Sequence, residues 1–139
     1  MKKLYLPPHA PSLIESIRAI GYTFESAIAD IIDNSITAGA TAINIRFTPY
    51  GIPYVAILDN GHGMNPETLT RAMRHGSSNP SDPRPANDLG RFGLGLKTAS
   101  LSQCRRLTVV SLRDGNLSAR CWDLDIILDD RDWTLLELE

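Results

Sequence analysis

Two hydrophobic periods alternate along the chain and predict where its helices and strands lie. Over Thr23–Ala38 apolar residues recur every three or four positions and Gly39 follows, which predicts an amphipathic helix with a glycine stop. Ala42–Thr48 and Ile52–Asp59 are rich in apolar residues and flank a short Pro-Tyr-Gly connection, which predicts two paired strands.

Capping and turn signals predict the other elements. A capping box at Ser12 predicts a first helix that ends near Gly21, and Asn65-Pro66 predicts the start of another helix. Asp114-Gly115 predicts a hairpin turn between strands 107–112 and 116–124, and a last strand is predicted within 133–138. Helices on one face of a mixed, mostly antiparallel sheet give an α+β two-layer sandwich. We expect one such domain over residues 1–139.

The predicted helix over Thr23–Ala38 carries a polar stripe whose members are spaced i, i+3, i+4 and i+7: Asp30, Asp33, Asn34 and Thr37. These positions share one face of a helix. Carboxylate and amide oxygens are hard ligands, suited to a magnesium ion that keeps several waters and reaches phosphate on its other side. The alternative is an ordinary polar face turned to solvent.

An apolar strand ends at Asp59 in a turn that contains Gly61 and Gly63. A carboxylate that leaves a buried strand can accept a hydrogen bond from an exocyclic amine such as that of adenine, and glycine lets the flat ring approach. The alternative is a plain Asn-Gly turn.

Residues 90–100 form a glycine-rich turn that runs into a helix-forming segment. Glycines let the backbone approach an anion, and the first N–H groups of the helix point at it. Lys97 adds a positive charge. A plain helix N-terminus is the alternative, because the spacing is not that of a Walker loop.

In order and spacing these three segments resemble the N box and the two glycine boxes of the GHKL ATPases, the superfamily of gyrase B, MutL, the large heat-shock chaperones and sensor histidine kinases. The sequence of residues 90–97 is most similar to the corresponding segment of the MORC ATPases and their bacterial relatives, and next to that of the heat-shock chaperones. The resemblance covers roughly Glu25–Ser100 and implies the Bergerat ATP-binding fold.

The resemblance also implies roles for individual residues. Asp30 takes the position of the general base, Asn34 that of the magnesium ligand and Asp59 that of the adenine anchor, while Asp33 lines the adenine side or orients Asn34. Other residues implied to contact ATP lie in the two glycine boxes: Gly61, Gly63, Met64, Gly90, Arg91, Phe92, Gly93, Leu94, Gly95, Leu96, Lys97 and Thr98.

The chain departs from the family pattern at three places. The general base of the family is usually glutamate, and Asp30 is one methylene shorter, a misplacement expected to slow hydrolysis without weakening binding. Thr37 stands where aspartate is usual. The late Gly-Thr step of the family is not visible before Glu139, so we expect the fold to be truncated at its C-terminus.

Residues 75–89 are dense in glycine, proline and serine and too long for a simple connection. The resemblance implies that this segment is the ATP lid, which orders over the triphosphate. Ser77 and Ser78 are candidate phosphate contacts, or else simple turn residues.

Composition narrows the function classes. Fourteen basic and sixteen acidic residues give a net charge of −2, so the chain has no broad basic surface for nucleic acid, and such contacts are expected only through regions outside it. No apolar run approaches a membrane span, and the two cysteines lack CxxC spacing. We expect a cytoplasmic protein without a membrane anchor.

These observations predict a domain that binds ATP and Mg²⁺ and hydrolyses ATP slowly to drive lid closure and homodimerisation of a longer MORC-like switch protein. Two alternatives stay open. One is a module that binds ATP or ADP without hydrolysis, which the aspartate at the base position favours. The other is a histidine-kinase-type catalytic domain, although no helical segment with a phosphorylatable histidine precedes the boxes.

Overall fold

In the computed structural model of the protein, residues 1–74 and 95–139 are described, and they form five helices and five strands. In chain order these are α1 (Ala10–Arg18), α2 (Phe24–Thr37), β1 (Ile43–Thr48), β2 (Tyr54–Asp59), α3 (Pro66–Met73), α4 (Gly95–Gln103), β3 (Arg106–Arg113), β4 (Asn116–Asp123), α5 (Leu124–Asp130) and β5 (Leu136–Leu138).

The strands confirm the α+β class with antiparallel pairing. β1 pairs with β2, with Ile43 opposite Asp59, and β4 lies between β3 and β5. Within the described residues the strands form two separate antiparallel sheets, of two and three strands.

Side-chain caps mark the starts of α2 and α3. The side chain of Thr23 accepts the N–H of Ser26 at the start of α2, and that of Asn65 accepts the N–H of Thr68 at the start of α3. The first helix begins at Ala10, before the predicted Ser12 cap, and Ser12 instead pairs with the ring of His9.

Helix α5 was not predicted from the sequence. The side chain of Asp123 accepts the N–H of Asp125, so the chain turns into a helix directly where β4 ends.

The hydrophobic core joins α1, α3, α4, α5 and β4. Its buried members are Ala10, Ile14, Ile17, Leu69, Met73, Leu101, Trp122, Leu124 and Ile127. Polar contacts fix the helices further: the indole of Trp122 donates to the carbonyl of Met73 (2.9 Å), and the guanidinium of Arg18 donates to two carbonyls near the end of α4. The core therefore sets the position of α4. Among the described helices none is both long and apolar enough to cross a bilayer.

The turn after β2 contacts the second sheet. Gly63 has φ +66°, and a Cβ added there would lie 2.1 Å from the carbonyl oxygen of Leu112 in β3. The N–H of Met64 donates to the hydroxyl of Ser111 (2.7 Å). The glycine requirement at position 63 therefore arises from contact with a neighbouring strand.

We expect Gly63→Ala to lower the free energy of unfolding by about 3 kcal/mol, because the new methyl group overlaps a backbone carbonyl in addition to the cost of a left-handed backbone. Gly115→Ala is the matched control, since Gly115 also has positive φ (+78°) but has open space around its Cβ position. The control should cost only about 1 kcal/mol. Urea unfolding measures both values, and equal losses would contradict the strand contact.

Candidate functional site

Helix α2 presents the predicted polar stripe. Asp30 and Asp33 are half-buried, and Asn34 is exposed. Within the described residues the side-chain amide of Asn34 takes part in no hydrogen bond, so its oxygen is available to a ligand. The described residues contain no group of three or more His, Cys, Asp or Glu side chains arranged to hold a metal. The amide oxygen of Asn34 is a hard ligand of the kind that Mg²⁺ accepts together with waters and phosphate.

The carboxylate of Asp30 lies between the loop before α2 and the start of α4. Its Oδ2 accepts a hydrogen bond from the hydroxyl of Tyr22, with 2.9 Å between the two oxygens. A Cβ added to Gly95 would lie 3.8 Å from the same oxygen. The structure therefore brings the predicted general base to the first residue of the predicted phosphate-binding helix.

Asp59 is held by one hydrogen bond on each carboxylate oxygen. The hydroxyl of Ser35 donates to Oδ2 and the N–H of Gly61 donates to Oδ1, both at 2.8 Å. Ser35 is buried on α2. These contacts fix the orientation of the predicted adenine anchor against the helix that carries Asp30 and Asn34.

The glycines around Asp59 are required by close packing of the protein itself. A Cβ at Gly61 would lie 2.8 Å from the Cβ of Ala38 and 2.9 Å from Oδ1 of Asp59. The side-chain space of Gly63 is taken by β3, as described above. Met64 is partly buried against the core. Contacts of these three residues with an adenine ring remain predictions.

Lys97 is almost fully buried at 1% exposure. Its Nζ donates to the carbonyls of Ala72 (2.7 Å) and Arg74 (2.8 Å), so it closes the C-terminal end of α3. A phosphate contact by Lys97 remains a prediction.

Two other residues of the second glycine box, Leu96 and Thr98, have side chains that pack inside the protein. Leu96 packs against the core and Thr98 is buried, so a ligand would meet their backbone. The remaining predicted residues and the lid fall outside the described residues: Ser77, Ser78, Gly90, Arg91, Phe92, Gly93 and Leu94.

Sequence reasoning missed Ser35 and Tyr22. Ser35 lies four residues after Ile31, on the apolar face of α2. A hydroxyl on an apolar face needs a hydrogen-bond partner, and this was the available signal. Tyr22 lies in a loop, and no periodicity or motif marks it.

Comparisons with known proteins agree with this arrangement. A family model described as histidine kinase-, DNA gyrase B-, and HSP90-like ATPase matches residues 22–139. The chain is 41% identical over 88 residues to the DNA mismatch repair protein MutL of Colwellia psychrerythraea, covering 62% of this chain and 14% of that protein.

Two further MutL proteins show the same relation. The identity is 35% over 98 residues for Neisseria meningitidis serogroup C (strain 053442), covering 68% of this chain and 15% of the relative. It is 31% over 101 residues for Herminiimonas arsenicoxydans, covering 71% and 16%. The matched segment is thus a small part of each relative.

The buried Lys97 predicts a pH effect on stability. Burial lowers the pKa of Lys97 from 10.5 to about 8. Between these values the unfolded chain binds more of the proton than the native state, so the free energy of unfolding rises with pH. Relative to Lys97→Met, the wild type should gain about 2 kcal/mol between pH 7 and pH 9.5.

Urea unfolding of both proteins at the two pH values measures this difference. Using the difference removes the titration of all other groups, since both proteins share them. A wild type whose stability relative to Lys97→Met stays constant or falls as the pH rises would show that the native Lys97 amine does not titrate early.

Proposed function

Because the chain belongs to the family of histidine kinase-, DNA gyrase B- and HSP90-like (GHKL) ATPases, we propose that it binds ATP with Mg²⁺ and hydrolyses it slowly. The observation that carries the proposal is the position of α2, which contacts the anchor Asp59 through Ser35 and the start of α4 through Asp30. One helix thereby contacts both the residue proposed to bind adenine and the helix proposed to bind the phosphates.

The carboxylate of Asp59 is suited to adenine. An ionised carboxylate only accepts hydrogen bonds, and each oxygen has two lone pairs. Ser35 and Gly61 use one position on each oxygen, so each oxygen can still accept a donor. The exocyclic amine of adenine is such a donor. Met64 and the backbone at Gly61 and Gly63 are the proposed neighbours of the ring.

The phosphate end lies at the first turn of α4. Backbone N–H groups at a helix N-terminus are not used within the helix and carry the positive end of its dipole. Lys97 adds its charge when it exchanges the carbonyl of Ala72 or Arg74 for a phosphate oxygen. Asn34 would hold Mg²⁺, which supplies charge neutralisation for the phosphates when bound.

Asp30 is the proposed general base. The oxygen of a water molecule forms a bond to the terminal phosphorus and its proton passes to Asp30, while the bond to the bridging oxygen breaks and the electron pair leaves with ADP. Oδ1 of Asp30 accepts no hydrogen bond from the described residues, so it is open to that water. The short side chain is consistent with a slow reaction.

We place this domain in a larger MORC-like protein that dimerises and closes its lid when ATP binds. Large apolar side chains on one face of the β1–β2 hairpin support an interface, since Ile45 is 45%, Phe47 72% and Val55 39% exposed. We also propose that the protein is located in the cytoplasm. Any contact with nucleic acid would be made by regions outside this chain. Mismatch repair itself is not carried over from the MutL relatives, because the shared segment is so small a part of them.

Asp30→Asn should reduce ATP turnover at least about a hundredfold while the dissociation constant for ATP changes by less than about threefold, because the amide cannot take the proton from water. Glu25→Gln is the matched control, with the same charge change in the first turn of α2, and should hydrolyse ATP like the wild type. Phosphate release and calorimetric ATP binding measure the two quantities.

Two results would contradict parts of the proposal. Equal turnover in the wild type and Asp30→Asn would remove Asp30 as the base. ATP binding without any phosphate release by the wild type would favour the second candidate, a nucleotide-binding module without hydrolysis, which the aspartate at this position also supports.

A further inference from the structure

Tyr22 makes a contact that the family resemblance does not explain. Its hydroxyl donates to Oδ2 of Asp30 at 2.9 Å, although Tyr22 lies in the loop before α2 and carries none of the box motifs. Of the two oxygens of Asp30, the tyrosine takes the one nearest to Gly95.

The backbone around Tyr22 is fixed from two sides. The side-chain amide of Gln103, at the end of α4, donates to the carbonyl of Tyr22 at 2.8 Å. The next residue, Thr23, caps α2. Tyr22 is therefore tied both to the helix that carries Asp30 and to the helix whose first turn is the proposed phosphate site.

The phenol is a suitable donor at neutral pH. Burial, followed by the hydrogen bond to Asp30 and the negative charge of Asp30, raises the pKa of Tyr22 above its usual value of 10. The hydroxyl proton consequently stays on the oxygen and can be donated throughout the physiological range.

We propose that Tyr22 is a positioning residue for Asp30: it holds Oδ2 by a hydrogen bond and so leaves Oδ1 directed to the attacking water. Aspartate has one methylene fewer than the usual glutamate, and a fixed carboxylate orientation limits the loss that this causes. This inference rests on the proposed role of Asp30 as the base.

The first test is Tyr22→Phe, which removes one hydroxyl and keeps the ring. Loss of one hydrogen bond to a charged group corresponds to about a tenfold decrease in kcat, with KM and the ATP dissociation constant changed by less than about twofold. Tyr50→Phe is the matched control, since Tyr50 is 83% exposed in the β1–β2 turn. In an Asp30→Asn background, Tyr22→Phe should have no further effect.

The second test does not depend on turnover. In protein labelled at the tyrosine Cζ carbon, four signals are expected from four tyrosines, and the one lost in Tyr22→Phe belongs to Tyr22. A phenol that donates to a carboxylate becomes partly phenolate-like, and phenolate character moves the Cζ signal downfield. Loss of the charged acceptor in Asp30→Asn should therefore move this signal upfield at pH 7.5.

The outcomes separate this inference from the proposed function. Wild-type turnover that disappears in Asp30→Asn but persists unchanged in Tyr22→Phe would overturn the positioning role and leave the base assignment intact. A Tyr22 signal that does not respond to Asp30→Asn would overturn it as well. Equal turnover in the wild type and Asp30→Asn would instead contradict the base assignment on which the inference rests.

Discussion

Helix α2 must contact the turn after β2 and the start of α4 at the same time, and the candidate site depends on this double contact. On one side Gly61 approaches Ala38 so closely that a Cβ would lie 2.8 Å from the alanine side chain. On the other side Asp30 lies beside the first residue of α4, where a Cβ added to Gly95 would meet Oδ2 of Asp30 at an ordinary contact distance of 3.8 Å. The close approach at Gly61 and the contact of Asp30 with α4 together set the position of the helix and of its polar residues.

Hydrogen bonds within the protein hold the two carboxylates of the site, Asp30 and Asp59. Both oxygens of Asp59 and one oxygen of Asp30 already accept hydrogen bonds from the protein, which reduces the reorganisation needed on binding. The ammonium group of Lys97 instead closes the end of α3.

The sequence predicts the parts of this arrangement that depend on local rules. Asn65 caps a helix where expected, since N-cap preference is a property of a few neighbouring residues. Ser35 and Tyr22 escaped prediction because their roles depend on residues 24 and 8 positions away in the chain. Helix α5 was not predicted, and only its first residue, Leu124, was assigned, to the end of a strand; a seven-residue helix is too short to show a helical period.

The most direct test of the account is calorimetric titration of the 139-residue chain with ATP and with GTP, both with magnesium. The carboxylate of Asp59 accepts the exocyclic amine of adenine, whereas guanine presents a carbonyl at that position, and two acceptors repel each other. The account predicts ATP binding with GTP at least about tenfold weaker, a difference of about 1.4 kcal/mol. Equal affinities for the two nucleotides, or no binding of ATP, would contradict it.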